Sequence, residues 1–310
     1  MGSLLKRLCE SLGISWVWWQ WQWINFKKRV AYVFSMDNNV FRRLATKQKV
    51  CKCGALAARS DHVCGRCGNT LPSAGSYSFY RVFGLIMPGV SIATAIITSL
   101  IFVDEIVSLL QSGIMGLLVP SSQLLIKMGA LYSPYLLAGD WWRLLTCTFL
   151  HIGIIHFGFN VMALLSVSNF LEEEVGYHRY ISVYLLCGLG GSLASAFLRP
   201  YPVIMAGASG AIFGLIGFSI SYFHRLGGPR GRDVRSFMLR WACYAFVFGL
   251  FMRADNLAHA GGLITGLILG YIMEQREDRK RQWAPVWRTV ATILSLVYVL
   301  AFVMLIRSWR

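Results

Sequence analysis

Seven apolar stretches constrain this chain most, because each is long enough to cross a membrane as a helix. A spanning helix needs about 20 mostly apolar residues, and 56% of the 310 residues are hydrophobic while only 14% are charged. The predicted spans are residues 83–103, 149–170, 178–198, 206–223, 236–252, 257–273 and 287–306. The fold class that follows is an all-α polytopic membrane protein.

The positive charge of the chain is concentrated on one predicted side of the membrane. The formal net charge is +16, and basic residues crowd residues 1–81 and two later loops, His224 to Arg235 and Glu274 to Arg288. Seven spans place these regions on one side, which the positive-inside rule makes cytoplasmic. This distribution indicates a lipid bilayer and no nucleic-acid partner. Because no organelle-targeting stretch is evident, we expect the cell (inner) membrane.

Residues 1–50 form a tryptophan-rich, basic N-terminal segment. The tryptophans between Trp16 and Trp23 are followed by the basic run Lys27 to Arg29. Such a mixture is typical of a segment on a membrane surface, and equally of a helix that packs on the domain behind it. The sequence leaves both interpretations open.

Residues 51–72 contain two close cysteine pairs, each followed by glycine. The four cysteines are Cys51, Cys53, Cys64 and Cys67. This spacing resembles a small zinc ribbon with four thiolate ligands. The first pair is C-x-C where C-x-x-C is more usual, so His62 is an alternative ligand and a disulfide is the rival. A cytoplasmic location disfavours disulfides. We therefore expect a structural Zn²⁺, in a module that docks a cytoplasmic partner or anionic lipid.

Two polar residues lie at the mouths of apolar stretches, where lipid is otherwise expected. Ser209 follows Gly207 in the sequence GASG, and His259 stands in AHAGG. Ionisable groups inside a membrane are costly and usually functional, and histidine can take the proton of a serine nucleophile. The sixth span contains no acid and Asp255 falls outside it, so we expect a Ser-His dyad. The predicted topology places both residues near the non-cytoplasmic face. Phe213, one turn after Ser209, can stack on the imidazole.

The start of the second span supplies candidate donors for an oxyanion. His156 and Asn160 are four residues apart, so they share one face of a helix, and both can donate hydrogen bonds. Together with the backbone N–H of Ser209 they would form a three-donor oxyanion hole. For His151, in the same run, we expect a structural role at the mouth of the site.

Several of these motifs occur together and in order between about Trp141 and Gly270. They are the dipeptide Trp142-Arg143, the run HxxxxHxxxN that begins at His151, the pair Glu172 and Gly176, GASG, and AHxGGxxxG. The combination resembles the rhomboid family of intramembrane serine proteases. Phe213 stands where some members of that family have Tyr, which keeps the stacking ring.

The resemblance implies a role for each matching residue. Ser209 would be the nucleophile, His259 the general base, and His156 and Asn160 the oxyanion stabilisers. Arg143 and Glu172 would be structural and tie the long first loop to the end of the third-span region. No cofactor is implied for catalysis. The expected substrates are transmembrane proteins, cut in or near their membrane segments.

The resemblance also implies an organisation into domains. Residues 81–273 would form a six-helix core with a long membrane-embedded loop at about 104–148, and residues 274–310 a basic loop plus a seventh transmembrane helix. The cysteine-rich module lies outside the shared core. A catalytically silent protein of the same fold, which binds helices for quality control or trafficking, is the alternative. The hypothesis of a transporter is weaker than both, because no inverted repeat is evident in the sequence.

Overall fold

The computed structural model describes residues 48–50, 56–58, 60–66, 68, 92–251 and 254–309. The chain divides into two units, Met1–Gly89 and Val90–Arg310. In the first unit, strand β1 (Gln48–Val50) pairs antiparallel with β2 (Leu56–Ala58). Residues 1–47 of the predicted tryptophan-rich segment, with all its tryptophans, lie outside the described residues.

The described part of the second unit is almost entirely helical. Its α-helices are α1 (Ile92–Leu118), α2 (Ser122–Met128), α3 (Ser133–Leu137), α4 (Arg143–Thr146), α5 (Ile154–Val175), α6 (Tyr177–Leu198), α7 (Ser209–Leu226), α8 (Gly228–Phe251), α9 (Asn256–Ile272) and α10 (Glu277–Ser308). Two short strands, β3 (Leu131–Tyr132) and β4 (Ile204–Met205), form a two-stranded antiparallel sheet.

Five of the described helices are long and apolar enough to cross a membrane. They are α1 over Leu100–Leu118, α5, α6, α8 and α10. The other two apolar helices, α7 and α9, are shorter, with 18 and 17 residues. The chain is therefore an integral multi-pass membrane protein built from helices, as the sequence predicts.

The first predicted span has the wrong boundaries. Residues 83–103 were expected to be the span and residues 104–148 a loop, but α1 continues to Leu118, with non-helical backbone at Gly113. The acids Asp104 and Glu105 end the apolar pattern in the sequence, yet both are buried within the helix. The long loop therefore starts about 15 residues later than predicted.

The two basic loops that were predicted after the fourth and sixth spans are largely helical. Helix α8 begins at Gly228 and α10 at Glu277, so most of the arginines of these regions stand on helix ends. Long basic side chains can lie along a helix and keep their charge in water. The apolar pattern marks only the lipid-spanning part of such a helix, which explains the difference.

The long loop is fastened to the segment that precedes Ser209. Leu131 in β3 lies opposite Met205 in β4, and the N–H of Gly207 donates to the carbonyl oxygen of Cys147 at 3.0 Å. The side chain of Ser121 caps α2 by accepting from the N–H of Leu124. These hydrogen bonds satisfy backbone groups that lipid could not satisfy.

Helices α7 and α9 pack with their backbones in contact because glycines face each other along the crossing. A Cβ atom added to Gly262 would overlap the carbonyl oxygen of Gly210, and one added to Gly266 would overlap that of Gly214. Gly191 of α6 lies against the carbonyl oxygen of Ala258 in the same way. Small residues permit such approach between membrane helices. The crossing places the first turns of α7 and α9 side by side.

Candidate active site

Ser209 is the first residue of α7, directly after a segment whose conformation requires glycine. Gly207 has φ of 149°, in a region that residues with a side chain rarely adopt. A Cβ there would also come within 2.9 Å of the His156 ring. The turn at Gly207 therefore does two things: it directs the chain into α7 and leaves room beside Ser209 for another side chain.

The structure brings Ser209 and His259 together. The Ser209 hydroxyl lies 2.9 Å from Nε2 of His259, which stands in the first turn of α9. His259 is buried and Ser209 is half-buried. A hydroxyl at this distance can donate to an unprotonated imidazole nitrogen, and this arrangement is needed to activate a serine.

Phe213 stacks on His259 as the sequence suggested. The two ring centroids are 4.2 Å apart and the ring planes differ by 13°. A second ring, Phe246 of α8, meets His259 edge-on at 6.3 Å and Phe213 edge-on at 5.7 Å. One face of the imidazole is thus covered by α7, and its edge faces α8.

His156 lies beside Ser209, and its tautomer is set by the backbone. The N–H of Ile152 donates to Nδ1 of His156 at 3.3 Å. A nitrogen that accepts a hydrogen bond carries no proton, so the proton of the neutral ring is on Nε2. The position of a Cβ added to Gly207 would lie 3.4 Å from this Nε2 and 3.5 Å from the Ser209 hydroxyl. Nε2–H of His156 and the Ser209 hydroxyl therefore border the same small space.

Asn160 lies one helical turn below His156 and is buried. Its side-chain nitrogen donates to the carbonyl oxygen of His156 at 2.9 Å. This bond uses one of the two N–H donors of the amide. The structure places Asn160 on the predicted face of α5, with one donor committed to the helix.

His151 is buried next to His156, with ring centroids 5.1 Å apart. Its backbone N–H donates to the carboxylate of Asp104 at 2.5 Å, which ties the start of α5 to α1. Burial, and secondarily the neighbouring His156, lower the pKa of His151 well below its usual value. The ring is therefore neutral near pH 7, and its contacts fit a structural position at the mouth of the site.

The sequence predicts that Arg143 and Glu172 tie the long first loop to the end of the third-span region, and for Glu172 this stays a prediction. The described contacts of Arg143 lie inside the long loop: its guanidinium donates to the carbonyl oxygens of Ile126 and Ala130 and pairs with Asp140 at 2.8 Å. Glu172 stands near the far end of α5, about 27 Å along the helix axis from its first residue. Arg143 therefore stabilises the loop internally.

Two residues that sequence reasoning did not assign complete the surroundings of His259. Asn256, the first residue of α9, places its side-chain oxygen 3.0 Å from Nδ1 of His259. Asp255 caps the helix by accepting from the N–H of Ala258, and it also binds Ser195 of α6 and Arg199, which follows α6. An acid is often the orienting group, and the sixth span contains none. A neutral amide at three-residue spacing from His259 was the signal that could have found Asn256.

The predicted zinc ligands are mostly outside the described residues. Cys51, Cys53 and Cys67 belong to that group, whereas Cys64 is described and buried, and the N–H of Gly68 donates to its carbonyl oxygen. The alternative ligand His62 is exposed. Zinc binding by these cysteines therefore stays a prediction.

The fold and the site define a class: a multi-pass helical membrane protein with a serine and a histidine paired at the starts of two closely packed helices. Residues 138–276 match the family described as Rhomboid domain. The matched range includes Ser209, His259, His156 and Asn160. This similarity supports the rhomboid family.

Curated relatives from bacteria, plants and an apicomplexan agree with this assignment. Rhomboid protease GluP of Bacillus subtilis (strain 168) is 38% identical over 148 residues, covering 47% of this chain and 29% of the relative. RHOMBOID-like protein 4 of Arabidopsis thaliana is 39% identical over 161 residues, covering 51% and 40%. Rhomboid-like protease 1 of Toxoplasma gondii is 32% identical over 185 residues, covering 57% and 61%. The chain thus spans less than two thirds of the length of these relatives.

Proposed function

We propose that this protein is an intramembrane serine endopeptidase that hydrolyses peptide bonds in or near the transmembrane segments of membrane proteins. The observation that carries the proposal is the 2.9 Å contact between the Ser209 hydroxyl and Nε2 of His259. The names of two of the relatives, rhomboid protease GluP and Rhomboid-like protease 1, support the same activity.

The arrangement supports acyl transfer in two steps. His259 Nε2 takes the hydroxyl proton while Ser209 Oγ bonds to the carbonyl carbon, and the carbonyl oxygen becomes an oxyanion. The backbone N–H of Ser209, Nε2–H of His156 and the amide of Asn160 are the donors for it. His259 then gives its proton to the departing amine. Water cleaves the acyl-enzyme in the reverse sense, with His259 again as the base.

The expected substrate is a single-span membrane protein whose helix is locally unwound. In lipid, every backbone polar group of a helix is hydrogen-bonded, so a carbonyl is accessible to Ser209 only where those bonds are open. Small or helix-breaking residues in the substrate would favour this state. With a cytoplasmic N-terminus, the site would lie near the non-cytoplasmic face of a cell membrane, where hydrolytic water is available.

The proposal is tested with purified protein in liposomes and a panel of single-span substrates, with mass spectrometry of the products. Ser209→Ala should abolish cleavage. Ser219→Ala is the matched control, because this serine is buried on the same helix and donates only to its own turn, at Leu215. Equal cleavage by wild type and Ser209→Ala would refute the proposal. A folded protein that binds helices while Ser209 fails to react with a serine-directed phosphonate would establish the silent relative instead.

We also propose that the cysteine pairs hold a structural Zn²⁺ in a module for a cytoplasmic partner or anionic lipid. The β1–β2 hairpin supports it, because residues 51–55, which include Cys51 and Cys53, connect these strands. Double substitution of Cys64 and Cys67 by serine should lower the zinc content of the purified protein and spare proteolysis. Cys243→Ser, on α8, is the control and should leave the zinc content unchanged. Equal zinc content in all three proteins would exclude the site.

A further inference from the structure

We propose that Asn256 is a positioning residue that completes a Ser209-His259-Asn256 array. The inference rests on the proposed function and deepens it, because it concerns the base of the same reaction. Nε2 of His259 faces the Ser209 hydroxyl at 2.9 Å, and Nδ1 faces Oδ1 of Asn256 at 3.0 Å. Both ring nitrogens are therefore engaged, one by the nucleophile and one by the amide.

The amide oxygen selects the tautomer that the reaction needs. An amide oxygen only accepts hydrogen bonds, so its position at Nδ1 places the ring proton on Nδ1. Nε2 is then free to accept the proton of Ser209. In the other tautomer Nε2 would carry the proton, and the serine hydroxyl would lose its acceptor. A Cys-His-Asn array on an unrelated protease fold uses an amide in this way.

The neighbouring acid is not available for this role. Asp255 directs its carboxylate towards Arg199, Ser195 and the N–H of Ala258, all on the side of α6 and the helix start. Asp255 therefore holds the first turn of α9 in place without contacting the imidazole of His259 through a hydrogen bond. Asn256 is the residue of that turn whose side chain reaches the imidazole, since positions three apart share a helix face.

Gly249 of α8 provides an independent sign that the amide position is built into the fold. A Cβ at Gly249 would come within 2.6 Å of Oδ1 of Asn256, and its next nearest atoms would be Cβ of Ala254 and Cγ of Asn256, both at 3.5 Å. The backbone of Gly249 does not have the positive φ that would by itself require glycine. The missing side chain thus leaves the space that the Asn256 amide occupies.

The test measures cleavage kinetics of the full chain in liposomes. Asn256→Ala should lower kcat roughly tenfold with KM unchanged, as expected for the loss of one oriented hydrogen bond. Gly249→Ala should lower kcat in the same direction while the melting temperature stays equal or rises, because alanine favours a helix. Leu257→Ala, in the same turn, is the matched control and should keep the wild-type kcat.

The pH profile separates a role at His259 from general support of the fold. Asn256→Asp places a negative charge beside the imidazole and should move the acidic limb of the kcat/KM profile up by about one pH unit. Asp255 and His156 are the other ionisable groups that act on His259, and both are unchanged in this variant. An unshifted profile, or wild-type kcat in Asn256→Ala and Gly249→Ala, would overturn the inference. Unaltered cleavage by Ser209→Ala would instead refute the protease itself.

Discussion

Helix α7, which carries Ser209 and crosses α9, is packed far more tightly than α8, although both helices contact His259. In α7, 12 residues from Gly210 to Phe223 are buried, whereas among the described side chains of α8 only Gly231, Met238, Ala242 and Gly249 are. Large apolar residues of α8 such as Leu250 and Phe251 are exposed. The difference indicates that the α7–α9 crossing sets the geometry of the Ser-His pair. Helix α8 forms a less tightly packed wall of the site.

The largest effect is expected from a side chain added where α7 and α9 cross. Gly262→Ala puts a methyl group onto the carbonyl oxygen of Gly210, and backbone cannot move aside as a flexible side chain could. We expect a loss of about 3 kcal/mol or more in the free energy of unfolding, together with loss of cleavage. Thermal unfolding in detergent measures the first effect.

Gly158→Ala is the control for this change. Gly158 lies in α5, and a Cβ there would have nothing within 4 Å. Its melting temperature should equal that of the wild type or exceed it. If Gly262→Ala unfolded at the same temperature as Gly158→Ala, the crossing would not be the rigid part of the molecule.

The next effect concerns the anchor that holds the start of α9 against α6. Asp255→Ala removes the cap of α9 and leaves Arg199 without its carboxylate partner. We expect a loss of about 2 kcal/mol, of which the cap contributes about half. Asp278→Ala, in an exposed ion pair with Arg276 at the start of α10, should leave the melting temperature unchanged. If Asp255→Ala and Asp278→Ala lowered the melting temperature equally, the contribution of Asp255 would not depend on its burial.

A smaller effect is expected from the ring that α7 places on the imidazole. Phe213→Leu removes the stacked ring from His259, and aromatic pairs are worth about 1 kcal/mol beyond their buried area. We expect kcat to fall roughly fivefold, because the base is oriented less well. Phe213→Tyr keeps the ring and should retain most of the activity. A kcat for Phe213→Leu equal to that of the wild type would show that the stacked ring does not orient His259.

The sequence predicted the paired groups of this site and missed two of the side chains that contact His259. The sequence alone indicates Ser209 and His259, because each is a polar group in an apolar stretch beside glycines that permit close approach of helices. It indicates Phe213 by its one-turn spacing from Ser209. The contact of Asn256 with His259 was missed because a polar residue at a helix start looks like any cap. Phe246 was missed because nothing in a run of apolar residues shows which one faces a partner.

The fold shows the same division. Hydropathy located most of the spans, and α6 agrees with its predicted range to within one residue. It failed for α1, where two buried acids interrupt the apolar pattern, and for the ends of α8 and α10, where arginines extend the helix beyond lipid. Composition reports the solvent that a segment faces. Asp104 is an exception that accepts from the backbone N–H of His151, and the arginines are exceptions that keep their charge in water at the membrane edge.

Phe246 gives the smallest and most discriminating prediction, since it is the point at which α8 touches His259. Its ring meets the imidazole only at its edge, 6.3 Å between centroids, compared with 4.2 Å for Phe213. Phe246→Leu keeps most of the apolar volume and should change kcat less than twofold, in the same assay in which Phe213→Leu is several times slower. If the two variants were equally impaired, the wall formed by α8 would position the base as firmly as the crossing does. The contrast in packing would then not be a contrast in function.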